Sequence, residues 1–352
     1  MNTSDPSCPT ECTQVPHLKS LISGILNKLP AIEYSRLASS EIDYYGASNT
    51  ISRELKLGGI PYTRASWLHG WNRYPLVKPE LFIHQGCVAC CEVGKVPNLV
   101  ATKPLENFLR GNNYPLAKAV GDPFIYTQEA NVERIPKSLL IVPWHSIKET
   151  NSKHYQSSKK LFLPEKLDIL KEKFSTIVAC LGGFCVQRKN YIKIYEDAGI
   201  PWITGAWLHD AYALQRMRNI FSQFEYVSTN SMGSHIPYAG YCGCKVSYYG
   251  KGQNLKPKDF LKIPVYKMFP KLTEIIINEN RFEKLKEKYS FLFSTIENSA
   301  TIKDWSNDEL GLENKILHHE LAKLVGWKIR INNTTKSWEF IPGANPGLAT
   351  NH

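Results

Sequence analysis

The chain has 352 residues, of which 43% are hydrophobic, 11% aromatic and 21% charged. Those values belong to a globular protein with an ample core and exclude a disordered chain, and the length suits two domains better than one. The formal net charge of +11 favours acidic partners, with nucleotides, anionic sugars, a membrane surface and nucleic acid all open on charge alone.

No apolar stretch approaches the roughly 20 residues of a transmembrane helix. The amino-terminal region mixes Asp5, Glu11, His17 and Lys19 with Pro and Thr, so no secretory signal is expected and the protein is read as cytoplasmic. Lys284, Lys286 and Lys288 alternate with Glu283 and Glu287 as on a solvated helix face, and no nucleic-acid-binding motif occurs. The nine cysteines fall as Cys8/Cys12, Cys87/Cys90/Cys91, Cys180/Cys185 and Cys242/Cys244. Cys87 and Cys90 have the gap of half a zinc site, but Cys242-Gly243-Cys244 lacks the matching one. Reduced, packed thiols and no metal are therefore expected.

In chain order, residues 65–68, 81–84 and 99–101 read as strands, 104–110 as a helix, 117–120 as a strand and Gly121-Asp122-Pro123 as a turn. The polar segment 128–137 is the expected crossing into a second domain. There the pattern gives a strand at 138–142, a solvent loop at 150–160, a helix at 164–174, a strand at 176–181 and a helix at 187–198. A strand at 201–204, a helix at 211–224, a strand at 226–229, a short helix at 235–241 and a strand at 245–249 follow. Helices at 281–289 and 317–324 and a hairpin beyond Asn332 complete the reading. Short apolar strands separated by helices predict an α/β fold, with two Rossmann-like domains facing a cleft. The expected division is 1–136, 137–330 and a tail, 331–352. The GxGxxG fingerprint is absent, which disfavours a dinucleotide enzyme, and no cofactor is implied. G-x-S-x-G, H-E-x-x-H and the P-loop are absent too.

The run Thr229-Asn230-Ser231-Met232-Gly233-Ser234-His235-Ile236-Pro237-Tyr238 follows a strand and opens a helix. Small residues ahead of a helix let an anion approach first-turn amides that lack internal partners, and Pro237 has no N–H to lose there. Asn230, Ser231, Gly233, Ser234 and His235 are thus candidates for holding a phosphate, with His235 able to donate to it or to protonate a leaving group. Two further loops sit at expected strand ends. Trp67-Leu68-His69-Gly70-Trp71 offers His69 near a reacting centre, and Pro143-Trp144-His145-Ser146 offers His145 as a catalytic group and Ser146 as a donor contact. Asp43, ahead of Tyr44-Tyr45-Gly46, is a candidate base, whereas Asp210 reads as a helix cap.

Residues 225–239, followed by Gly243-Cys244-Lys245-Val246, resemble the donor-side segment of bacterial surface-polysaccharide glycosyltransferases with the two-domain glycosyltransferase-B fold. Capsule and lipopolysaccharide enzymes that use CMP-activated acidic sugars, such as sialic acid or Kdo, are the nearest members. Thinner similarity extends to His69-Gly70-Trp71, Ala119–Tyr126, Leu140–Ser146 and the helix start at Leu310–Lys315. The resemblance implies a metal-independent transferase with a nucleotide-sugar donor, a glycan or glycolipid acceptor and peripheral contact with the inner membrane. It also implies that Ser231, Gly233, Ser234 and His235 hold the donor phosphate. One departure stands out: sialyltransferase-like families pair an acidic motif with His-Pro, where this chain has His145-Ser146. A non-catalytic nucleotide- or glycan-binding protein and, more distantly, a nucleic-acid binder are the alternatives.

Overall fold

The structure, a computed structural model, describes residues 11–12, 19–33, 41–61, 63, 65–83, 96–144, 167–189, 192–250, 255–257, 260, 266–267, 269–345 and 349–350. Strands run in chain order as β1 (Glu11–Cys12), β2 (Gly59–Ile60), β3 (Ser66–Trp67), β4 (Asn98–Val100), β5 (Ala117–Ala119), β6 (Ile135–Val142) and β7 (Thr176–Leu181). They continue as β8 (Trp202–Thr204), β9 (Phe224–Thr229), β10 (Lys245–Tyr248), β11 (Ile329–Ile331), β12 (Trp338–Phe340) and β13 (Ala349–Thr350). The chain divides into two compact α/β units, each built on a parallel sheet. The first gathers Met1–Pro30, Ala130–Trp207 and Arg216–Lys303, and the second Ala31–Glu129, Leu208–Gln215 and Asp304–His352.

In the first unit the sheet order is β1-β8-β7-β6-β9-β10, with β6 to β10 all parallel and β1 antiparallel at the edge. Counted from β6, the parallel strands run 3-2-1-4-5, the doubly wound order of a Rossmann-like sheet. Such strands are covered on both faces, which explains why Leu139, Leu140, Ile141 and Val142 are consecutive, apolar and all buried. Leu139 and Ile141 pack with Leu170 of the helix Leu167–Lys173, with Phe174 just beyond its end, and with Leu181, Tyr195 and Trp202. Each such side chain contributes about 1.5–3 kcal/mol on leaving water. In the second unit β3, β4 and β5 are parallel and adjacent in that order. The helix Lys103–Gly111 crosses between β4 and β5 and seats Leu105 and Leu109 against Val100, Ala117 and Ala119.

The main sheet elements from 138 onward and the helix at 235–241 lie where their periodicity puts them, whereas the final hairpin, β11 with β12, begins at Ile329, ahead of the expected start, and Asn332 lies in its connection. Several expectations are corrected. The strand expected over 81–84 is not formed in its described part: Glu80–Ile83 is a helical turn following Pro79, because four apolar-rich residues suit either state and Pro79 with Glu80 favours a helix start, and residue 84 lies outside the described residues. The helix expected over 187–198 is two helices, Gly183–Gln187 and Ile192–Asp197. The first begins at Gly183, where an added Cβ would lie 2.7 Å from Trp207 Cβ, so only glycine permits that start. Leu312–Asn314 is a single 3-10 turn entered through the left-handed Gly311, not the start of a longer helix. The helices Pro270–Glu279 and Lys303–Glu309 were not anticipated. The loop expected at 150–160 lies outside the described residues.

Candidate functional site

The first unit changes winding direction between β6 and β9, and ligands of open α/β sheets bind beyond the carboxyl ends of the strands flanking such a point. Val142 pairs with Thr229 at those ends. Immediately beyond, the Trp144 N–H donates to Asn230 Oδ1 at 2.9 Å, joining the two strand exits. On the other side the Tyr248 hydroxyl donates to the Asn230 carbonyl at 2.9 Å and the Tyr249 N–H to the Thr229 carbonyl at 2.7 Å. Asn230 and Ser231 are consequently buried, at 4% and 5% exposure, and shape the loop from beneath. Met232, Gly233, Ser234 and His235 are half-buried and form its outer surface.

Thr229 organises that surface. Its Oγ1 accepts the Ser231 N–H at 3.2 Å and lies 2.8 Å from His235 Nε2. Gly233 is packed against the same imidazole, since a Cβ there would lie 3.1 Å from both Nδ1 and Cε1 of His235. The following helix, His235–Tyr241, closes with Ile236 N–H to the Gly233 carbonyl and Tyr238 N–H to the Ser234 carbonyl, both 3.0 Å. At seven residues it is barely two turns long, so its dipole is weak. His145 and Ser146 lie outside the described residues; Trp144 is the last residue described before them.

In the second unit the carboxyl ends of β3 and β5 are tied through Asp122. This fully buried carboxylate accepts the Gly70 N–H at 2.7 Å through Oδ2 and the Phe124 N–H at 2.8 Å through Oδ1. Gly70 is thereby held in its left-handed conformation, with φ of 88°. His69, one residue earlier, is half-buried and meets the rings of Tyr44 and Tyr45 edge-on, at centroid distances of 6.0 and 5.0 Å. Burial lowers its pKa to about 4, so the imidazole is neutral at physiological pH and offers one donor and one acceptor. Asp43 lies in the 3-10 segment Glu41–Gly46, whose Tyr44 and Tyr45 make those ring contacts, and its own side chain lies outside the described residues. The structure therefore brings the turn bearing Asp43 against His69. That turn is pinned where Gly46, at φ of 73°, passes so close to Ala211 that a Cβ would fall 1.9 Å from the Ala211 carbonyl oxygen.

Asp210 behaves as a cap: its Oδ1 accepts the Tyr212 N–H at 3.0 Å and the Glu33 N–H at 3.1 Å. Sequence reasoning assigned no role to Thr229 or Tyr248 and read Asp122 only as a turn residue. The Thr-x-Ser spacing of Thr229 and Ser231 is the signature of a hydroxyl turn and could have marked the first. Among the described residues no three His, Cys, Asp or Glu side chains gather as a metal site needs, and no helix is long and apolar enough to cross a membrane.

No protein-family model matches the chain, and no curated protein matches it in sequence. Among solved structures it is similar to the pneumococcal O-GlcNAc transferase GtfA, determined in complex with UDP and GlcNAc, at 16% identity and a TM-score of 0.29. The match covers 64% of this chain and 44% of that transferase, so the chain spans less than half of its length. At that TM-score the overlap is loose.

Proposed function

We infer that the chain is a glycosyltransferase that moves a sugar from a nucleotide-activated donor to a glycan or glycolipid acceptor in surface-polysaccharide synthesis. The observation that carries this reading is the loop Asn230–His235 at the point where the first unit's sheet changes winding direction, with Gly233 and Ser234 at its surface. The resemblance of residues 225–239 to the donor segment of capsule and lipopolysaccharide transferases supports it, and points to a CMP-linked acidic sugar as donor. The net charge of +11 suits such a donor and an anionic acceptor or inner-membrane surface.

Glycosyl transfer requires that charge on the departing nucleotide be stabilised, that the acceptor hydroxyl lose its proton and that water be kept out. The Gly233-Ser234 backbone and the Ser234 hydroxyl would hold the donor phosphate without a metal, with His235 bordering the same site. His145 and Ser146, close in sequence to the tie between Trp144 and Asn230, would complete the donor side. In the second unit His69 and Asp43 are the candidates for receiving the acceptor proton. A carboxylate is the stronger candidate, because an imidazole whose pKa lies near 4 is a weak base at neutral pH.

A thermal-shift series with CMP, UDP, GDP and dTDP tests the reading, since a ligand bound only by the folded state raises its melting temperature. CMP is expected to stabilise most, and Ser234→Ala to weaken that effect without lowering the melting temperature of the free protein. Release of free nucleotide from a nucleotide-sugar in the presence of acceptor separates a transferase from a binding protein. Indifference to all four nucleotides would remove the donor site.

A further inference from the structure

The helix Ala47–Glu54 and the chain around Gln128 and Tyr212, all in the second unit, enclose a small polar hollow of about 250 Å³, counting space open to solvent. Sites that engulf drug-sized ligands measure roughly 300–1,000 Å³, so this one seats part of a small molecule. Its walls are tied together: Asn49 Nδ2 donates to the Ala211 carbonyl and the Gln128 N–H to Gln215 Oε1, both at 2.9 Å. Arg53 stands at the rim, half-buried, with its guanidinium over the Tyr212 ring at 5.1 Å from the centroid and Nη2 donating to Gln128 Oε1 at 3.3 Å. Among the described residues no carboxylate pairs with Arg53; Glu54, next to it, accepts Gln128 Nε2 at 3.4 Å instead. A guanidinium carries a fork of N–H donors, so with one engaged and the plane held by the ring, the rest are oriented for a planar oxyanion.

The buried floor has the opposite character. Thr50 Oγ1 donates to the Ala47 carbonyl at 2.7 Å and Thr127 Oγ1 to the Phe124 carbonyl at 2.6 Å, so both hydroxyl protons are spent and lone pairs are what either can still offer. Asn49, bonded through its nitrogen, likewise keeps an oxygen to accept with. A phosphate, which brings only acceptors, would find Arg53 and nothing else. A molecule with a carboxylate at one end and hydroxyls at the other matches both rim and floor. We propose that this hollow binds a sugar acid, its carboxylate on Arg53 and its hydroxyl groups directed to Thr50, Thr127 and Asn49. Gly46 lines the same hollow, and Tyr45, one residue earlier, meets the His69 ring, so the bound sugar borders the turn that carries the candidate base. That this sugar is the acceptor rests on the transferase reading given above; that the hollow takes a sugar acid does not.

Saturation-transfer NMR with methyl glucuronide and methyl glucoside, which differ only in the carboxylate, tests the site on the full chain. The unaltered protein is expected to bind the glucuronide about tenfold more tightly, and Arg53→Gln to abolish that preference. Arg53→Lys, which keeps the charge and loses the fork, should retain only part of it; should Arg53→Gln not fold, that loss in Arg53→Lys decides the matter. No binding of the glucuronide, equal binding of the two sugars, or an unchanged preference in Arg53→Gln overturns the proposal. Displacement of the glucuronide by inorganic phosphate at comparable concentration overturns it too, in favour of a plain oxyanion site. The acceptor assignment has its own readout, the release of free nucleotide from CMP-sialic acid or UDP-N-acetylglucosamine. Release stimulated by the glucuronide, with a raised KM in Arg53→Gln, supports it. Binding of the glucuronide with no release from either donor removes the acceptor assignment and leaves the sugar-acid site standing, while the thermal-shift series with nucleotides judges the donor site separately.

Discussion

Asn230 accepts the backbone N–H of Trp144 across 2.9 Å, and with that one bond the exits of two neighbouring parallel strands are locked together. The acceptor is buried, so its loss leaves a desolvated N–H rather than one rehydrated by solvent. Asn230→Ala is expected to lower the stability of the protein by about 1–3 kcal/mol, read from urea denaturation, while Asn230→Asp, which keeps an acceptor oxygen, loses less. Equal midpoints for Asn230→Ala and the unaltered protein would show that the bond does not hold the strand exits together.

His69 gives a prediction in pH. Its folded pKa, about 4, lies below the ordinary value of 6.5, because burial penalises the imidazolium. Between those values the unfolded chain binds the extra proton and the folded chain does not, so the contribution of His69 is complete above about pH 6.5 and drains away as pH falls toward 4. The amount is on the order of 2–3 kcal/mol. His318, whose pKa is also lowered chiefly by burial, acts in the same direction, so the contribution of His69 is isolated by comparison with His69→Gln. A denaturation series from pH 7 to pH 4 should fall less steeply in that variant; parallel curves would count against the assignment.

How far could these sites be read in advance? The β9 loop and its helix were legible because an apolar strand, a cluster of Ser, Gly and Asn and a first-turn proline are local signals. Strand order is not local: the bond from Trp144 to Asn230 spans 86 positions and that from Gly70 to Asp122 spans 52, and no periodicity reports either. Asp122 was legible as a turn residue only, and its service to Gly70 depends on β3 and β5 flanking β4. The error at 81–84 has the opposite origin, since a four-residue apolar run carries too few positions to separate a period of 2 from one of 3.6. The helix Pro270–Glu279 carries local signals as well, with Leu272 and Ile276 four apart and buried and Pro270 at its start, yet it is absent from the expected elements.

Two glycines separate backbone strain from steric collision. Gly46 and Gly343 have nearly the same left-handed conformation, φ of 73° and 68°. A Cβ at Gly46 would strike the Ala211 carbonyl, whereas nothing lies within 4 Å of one at Gly343. Gly343→Ala should therefore cost about 1–2 kcal/mol, the penalty of the left-handed region alone. Gly46→Ala should cost upwards of about 4 kcal/mol or prevent folding. Similar melting temperatures for the two variants would mean that the close approach is relieved without cost.

The thiols of Cys180 and Cys244 are pushed up to about 12 and about 11 by burial, and both are free. Since the thiolate is the reactive species, iodoacetamide at pH 8 is expected to leave both unlabelled in the folded protein and to label both after denaturation, read by peptide mass mapping. Rapid native labelling of either would show that its site opens.

Residues Leu208–Gln215 belong to the second unit, although the chain on both sides of them belongs to the first. Asp210 in this short excursion bonds the Glu33 backbone, and the Gln215 side-chain amide accepts the Gln128 N–H and donates to the Gln128 carbonyl, both at 2.9 Å. The gene therefore cannot be cut into two self-sufficient halves. A fragment running from 130 to 303 would carry a strip of its sibling's interior with nothing to cover it, and a fragment ending at 129 would be missing that strip, so each half is an orphan until the whole polypeptide has been made.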